Sequence, residues 1–184
     1  ERPFFILATQ NPIEQAGTYP LPEAQLDRFL LYIKIGYPSA QEEHQILSRT
    51  TGGKPEAIKP ILCREDIIQL QRLTREVSIS EDLIAYVSEL IRATRPETTA
   101  VAYVKEWVRW GAGPRAGQAL ILTAKARALF HGRYAVTMED LHAMAYPVLR
   151  HRMLMNFKAE AEDVTSDEVT KQLIKEITRS TTVA

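Results

Sequence analysis

The spacing of apolar residues changes at Tyr37-Pro38, and that change limits the folds open to this chain. Before it stand two short runs that are apolar on both faces, Phe4-Phe5-Ile6-Leu7-Ala8 and Leu30-Leu31-Tyr32-Ile33-Lys34-Ile35. Such runs suit buried strands, most simply in a parallel sheet. Thr9-Gln10-Asn11-Pro12 stops the first, and Gly36 with Pro38 stops the second. Between them lies a loop rich in Gly and Pro, Gly17-Thr18-Tyr19-Pro20-Leu21-Pro22, then a predicted short helix over 23–29 with Pro22 near its first turn. Strand, loop, helix, strand is the tail of an α/β unit. Two strands are not a stable sheet, so the remaining strands are expected from elsewhere. The chain opens Glu1-Arg2-Pro3 with no initiator Met, and it reads as cut from something longer.

After Pro38 the pattern is helical to the end. Ser39 with Glu42 forms a capping-box pair opening a helix to about Arg49. Ile67, Leu70, Leu73 and Val77 recur at helical spacing over 64–77. Ser80 caps a helix carrying Leu83, Ile84, Val87, Leu90 and Ile91, with Pro96 beyond its end. A short helix is predicted over 102–110 and a long one over 115–131. Thr137 with Asp140 caps the next, towards Met153, and Thr165 with Glu168 opens the last, to about Thr178. The fold expected is therefore mainly α: an α/β tail with two strands over residues 1–37, then an all-α unit over 38–184.

Composition narrows the function. Lys plus Arg number 23 and Asp plus Glu number 23, whereas a non-specific nucleic-acid binder carries a basic excess. The single cysteine, Cys63, cannot form an internal disulfide, which suits a reducing, cytoplasmic setting. No apolar run approaches the length that crosses a bilayer.

Three motifs can carry chemistry. Asn11 follows a buried-strand pattern, and ligands of open α/β sheets bind outside the carboxyl ends of strands. Its amide could meet a phosphate oxygen and a water, or it could simply start the turn before Pro12. Arg28, in Gln25-Leu26-Asp27-Arg28-Phe29, could reach a neighbouring subunit's nucleotide or pair with Asp27 or Glu23. Arg115, in Gly111-Ala112-Gly113-Pro114-Arg115-Ala116, stands at a helix N-terminus, where a cation is unfavourable without an anion beside it. That anion could be a ligand, or a carboxylate such as Glu106.

In their order along the chain, these motifs resemble the AAA+ ATPases of the MoxR type. Residues 7–15, Leu-Ala-Thr-Gln-Asn-Pro-Ile-Glu-Gln, are similar to that family's sensor-1 segment. Residues 17–29, Gly-Thr-Tyr-Pro-Leu-Pro-Glu-Ala-Gln-Leu-Asp-Arg-Phe, resemble its most specific signature. Gly113-Pro114-Arg115-Ala116 resembles sensor 2, and Pro147-Val148-Leu149-Arg150-His151-Arg152 resembles the last lid helix. The resemblance implies a division of the chain into the end of an α/β P-loop ATPase core (1–37) and a helical lid domain (38–184). It implies that Asn11 sits beside the γ-phosphate and its water, that Arg28 acts in trans as an arginine finger, and that Arg115 couples lid position to nucleotide state. It also implies ATP and Mg2+ as cofactors and a homo-oligomeric ring, usually a hexamer. Partners with von Willebrand A domains are implied too, in chaperone-like remodelling or cofactor and metal insertion.

A phosphate-cradling loop reads G-x-x-x-x-G-K-[ST]. Gly52-Gly53-Lys54-Pro55 is the nearest approach and fails after the lysine. No apolar run ends in an Asp-Glu pair that would hold magnesium. These 184 residues alone are therefore expected to hydrolyse no ATP. Three other readings stay open: a magnesium-chelatase-like motor subunit, a nucleic-acid-linked AAA+ factor, and a plain helical interaction module, which would not need Asn11, Arg28 and Arg115 together. His44, His131, His142 and His151 read as surface or packing residues, Trp107 and Trp110 as lid core or lid surface. Arg150, His151 and Arg152 read as basic residues placed by the dipole at a helix C-terminus.

Overall fold

A computed structural model describes residues 3–10, 21–52 and 58–183. Asn11, residues 17–20 of the loop rich in Gly and Pro, and Lys54 lie outside the described residues. The elements are α1 (Glu23–Leu26), α2 (Ala40–Thr50), α3 (Arg64–Glu76), α4 (Glu81–Ala93), α5 (Ala102–Trp107), β1 (Val108–Trp110), α6 (Pro114–Phe130), α7 (Met138–Leu149), β2 (Leu154–Met155), α8 (Phe157–Ala161) and α9 (Ser166–Val183). The chain is mainly helical, as its periodicity predicts.

Local chemistry places the helix starts. The Ser39 hydroxyl accepts from Glu42 N while the Glu42 carboxylate accepts from Ser39 N at 2.8 Å. Thr165 and Glu168 make the same reciprocal pair, and Ser80 Oγ accepts from Leu83 N. These bonds satisfy amides that the first helical turn leaves without partners. Gly132, at φ +69°, closes α6 in a left-handed turn that directs Arg133 N back to Ala128 O.

The core forms where α4, α6, α7 and α9 meet, with α5 alongside. Leu90, Leu120, Leu141, Leu149 and Leu173 are fully buried there. On α6 the inward residues include Ala116, Ala119, Ala124 and Ala128, whose small side chains let α7 approach closely. By contrast, α3 keeps its apolar stripe of Ile67, Leu70 and Leu73 partly in solvent.

The two apolar runs do not pair as strands. Residues 4–8 and 30–35 are irregular, and Phe4, Phe5, Ile33 and Ile35 are exposed. A strand exists only where a neighbour supplies its backbone partners. Among the described residues neither run has one, beyond a single bond from Tyr32 N to Pro147 O. The sheet that does form is antiparallel, β1 with β2, pairing Val108 with Met155 and Trp110 with Leu154. The helix predicted over 102–110 thus stops at Trp107, because from Val108 the chain pairs with a distant segment, Val108 with Met155 and Trp110 with Leu154. The helix predicted towards Met153 stops at Leu149, and α8 was not expected from periodicity. Among the described residues no helix is long and apolar enough to cross a membrane.

Candidate functional site

The N-terminus of α6 is fixed from behind. Thr94, fully buried at the end of α4, accepts a hydrogen bond from Ala112 N at 2.8 Å and donates to Ile91 O. Arg95 Nε donates to Ala112 O at 3.2 Å. Gly111 is needed at this crossing, since a Cβ there would lie 2.5 Å from Thr94 O. Gly113 is the N-cap and has no side chain with which to cap the helix, and Pro114 occupies the first helical position. Arg115 therefore projects from an α6 N-terminus that the fold holds in place, and its side chain is 58% exposed.

Its partner is Asp27, and not Glu106, which pairs instead with Lys158. Arg115 Nη1 donates to Asp27 Oδ2 at 3.2 Å. The other carboxylate oxygen of Asp27 accepts from Arg152 Nε at 3.1 Å. Arg152 is buried and also donates to the carbonyls of Asp27, Phe29 and Leu30, and to Val148 O. Burial pushes its guanidinium below the usual arginine value, and Asp27 opposes that shift.

Two neighbours extend this clamp. Arg150 binds the Asp167 carboxylate through Nε and Nη2 and donates to Tyr32 O at 2.8 Å. His151 meets Phe29 O through Nε2 at 3.0 Å and stacks on Tyr32. A carbonyl only accepts, so Nε2 carries the proton, and the buried Nδ1 has no hydrogen-bond partner among the described residues. Burial holds the His151 pKa below the ordinary histidine value, with the bond to Phe29 opposing. The last carbonyls of α7 are consumed by the same contacts: Pro147 O by Tyr32 N, Val148 O by Arg152, and Leu149 O by Arg152 N. Residues 150–152 thus have specific partners in the 27–32 segment, where the sequence suggested only a dipole preference.

Of the sequence-predicted site residues, Arg115 is brought to Asp27, the residue before Arg28. Arg28 is exposed and forms no ion pair with a described residue. Asn11 lies outside the described residues. In the sequence Asp27 reads only as a partner for Arg28 and Arg152 only as a helix-end cation, and nothing links the two. The adjacent acid and base of Asp27-Arg28 hinted at a paired carboxylate, but its partners lie 88 and 125 residues away. Trp107 is buried and Trp110 exposed, as core and surface positions of this unit.

A separate charge cluster stiffens the far end of α6. The buried Asp140 carboxylate accepts from Arg127 and twice from Arg133, at 2.5 and 2.6 Å, and from Thr137 N. The Arg133 bonds hold its carboxyl well below the usual carboxylate range, against the cost of desolvation.

Residues 101–173 match the AAA lid domain family, and residues 1–31 match the ATPase family associated with various cellular activities. The chain is 40% identical over 176 residues to the chaperone MoxR1 of Mycobacterium tuberculosis, covering 95% of this chain and 46% of that protein. A crystal structure of a Cytophaga hutchinsonii protein described as an ATPase superposes with a TM-score of 0.88 at 36% identity, covering 95% of this chain and 54% of that one. A magnesium-chelatase subunit ChlI homolog of Methanocaldococcus jannaschii is more distant, 28% identical over 159 residues, covering 82% of this chain and 38% of that protein. The chain belongs to the MoxR-type AAA+ family, as the C-terminal region of such a protein. It spans about half the length of the relatives it matches.

Proposed function

We propose that this chain is the nucleotide-sensing and coupling part of an ATP hydrolase that performs chaperone-like remodelling, or cofactor or metal insertion, on partner proteins. The observation that carries the reading is Arg115: an exposed guanidinium on an uncapped helix N-terminus, held by the buried Thr94 and Gly111 crossing. Free helix-start amides and a cation together suit a phosphate. In this reading Arg115 reports the nucleotide to the lid, Asn11 positions the attacking water, and Arg28 stabilises charge on a neighbouring subunit's transferred phosphoryl group. ATP supplies that phosphoryl group when bound. The residues here fit one edge of it. The phosphate loop and the acidic pair that would hold Mg2+ have no match in these residues, and both are assigned to another part of the full-length protein.

The boundary between core and lid is placed at Tyr37-Pro38, just before the Ser39 cap of α2. The active form is a homo-oligomeric ring, hexameric by analogy with the family, in the cytoplasm, with a von Willebrand A-domain protein as partner. The greater similarity to a protein named a chaperone than to one named a chelatase subunit homolog favours remodelling over a chelatase role.

Arg115→Ala in the full-length protein tests the reading. It is expected to weaken ATP binding and lower turnover at least tenfold, roughly the loss of one charged phosphate contact. The 184 residues alone should show no turnover. Unchanged affinity and rate in the variant would reduce this chain to a helical interaction module.

A further inference from the structure

We infer that Asp27 is a competing counter-ion for Arg115: its carboxylate holds the guanidinium that a nucleotide phosphate also requires, and so sets how tightly that phosphate binds. This rests on the reading of Arg115 as a nucleotide contact and assigns the residue that regulates it.

The two arginines on Asp27 are unequal. Arg152 has a side chain only 3% exposed and is committed to four main-chain carbonyls, those of Asp27, Phe29, Leu30 and Val148. It stays on Asp27 whatever Arg115 does. Arg115 is 58% exposed and meets Asp27 through one nitrogen at 3.2 Å. An exposed, single-contact pair is weak. Departure of Arg115 leaves Asp27 still neutralised by Arg152, so no buried charge is orphaned. The exchange of a carboxylate for a phosphate at Arg115 therefore costs little, and a triphosphate carries more charge than the carboxylate it displaces.

The position of Asp27 gives the exchange a consequence. Arg152 grips the carbonyls on both sides of Arg28, at Asp27 and at Phe29. A change in charge around Asp27 is thereby felt at the turn that presents Arg28. Asp27 is a positioning residue, acting through the arginines on either side of it.

The test is equilibrium binding of a fluorescent ATP analogue to the full-length protein, in wild type, Asp27→Asn, Arg115→Ala and the double variant. Asn keeps the size and an acceptor but removes the charge, and it leaves the main-chain bonds of Arg152 in place. Asp27→Asn is expected to bind the analogue about two- to fivefold more tightly, the worth of an exposed ion pair. The gain should vanish in the Arg115→Ala background and shrink as KCl is raised. Asp27→Ser repeats the measurement should the asparagine variant melt early. If Arg115→Ala weakens binding while neutral variants at 27 bind no more tightly, the inference fails and the nucleotide reading stands. A gain that persists without Arg115 also overturns it. If Arg115→Ala binds as wild type, the reading and this inference fall together.

Discussion

Arg152→Met tests whether one buried guanidinium fastens the 27–34 segment to the helical unit. The substitution keeps an unbranched apolar stem in the core and removes five hydrogen bonds. Four of those reach Asp27, Phe29 and Leu30, and one reaches Val148. Truncating one partner of a buried charged network costs about 3–5 kcal/mol. The lower end applies, because Asp27 is 29% exposed and its segment can be rewetted after release. About 3 kcal/mol is roughly a hundredfold in the equilibrium for local opening. Hydrogen exchange reads it directly: Tyr32 N–H bonds Pro147 O at 2.8 Å and lies inside the clamped segment. Its exchange should accelerate roughly a hundredfold, while the fully buried Leu120 and Leu141 positions slow or quicken much less. Tyr32 exchange within threefold of wild type would refute the clamp. So would equal acceleration at Leu141, which would mean that Arg152 supports the whole helical core.

Two further outcomes follow from the geometry. Gly111→Ala places a methyl 2.5 Å from Thr94 O, a main-chain atom that cannot swing away. A melting temperature lower by several degrees is expected, about 1–3 kcal/mol of overpacking, whereas Gly113→Ala, with nothing within 4 Å, should cost under about 1 kcal/mol. Acid should also loosen the fold before carboxylates titrate. Burial lowers the pKa of His142 and His151, so the unfolded chain binds more protons just below its ordinary histidine value. Stability is then complete above about pH 6.5 and is lost as pH falls through the lower folded values. Melting curves taken from pH 7.5 to 5 should fall, and fall less in His151→Gln; a flat profile would sink the argument.

Sequence alone determined what is local. The capping pairs Ser39 with Glu42 and Thr165 with Glu168 form as their spacing requires, because each closes within one helical turn. The 3.6-residue recurrence of Val87, Leu90 and Ile91 sends those residues into the core for the same reason. Pro114 and Arg115 stand at the helix start that their order predicts. Tertiary structure decided whatever depends on a distant partner. The runs at 4–8 and 30–35 have strand composition but no ladder among the described residues. Val108 leaves helix for strand because Met155 lies opposite. Arg115 takes Asp27 rather than Glu106, and Arg152 turns from a helix-end cation into the clamp on residues 27–30. Helix period and caps are set by neighbours a few residues apart. Ion pairs and ladders are set by which segments the packed core brings together, and that is written nowhere along the chain in a local form.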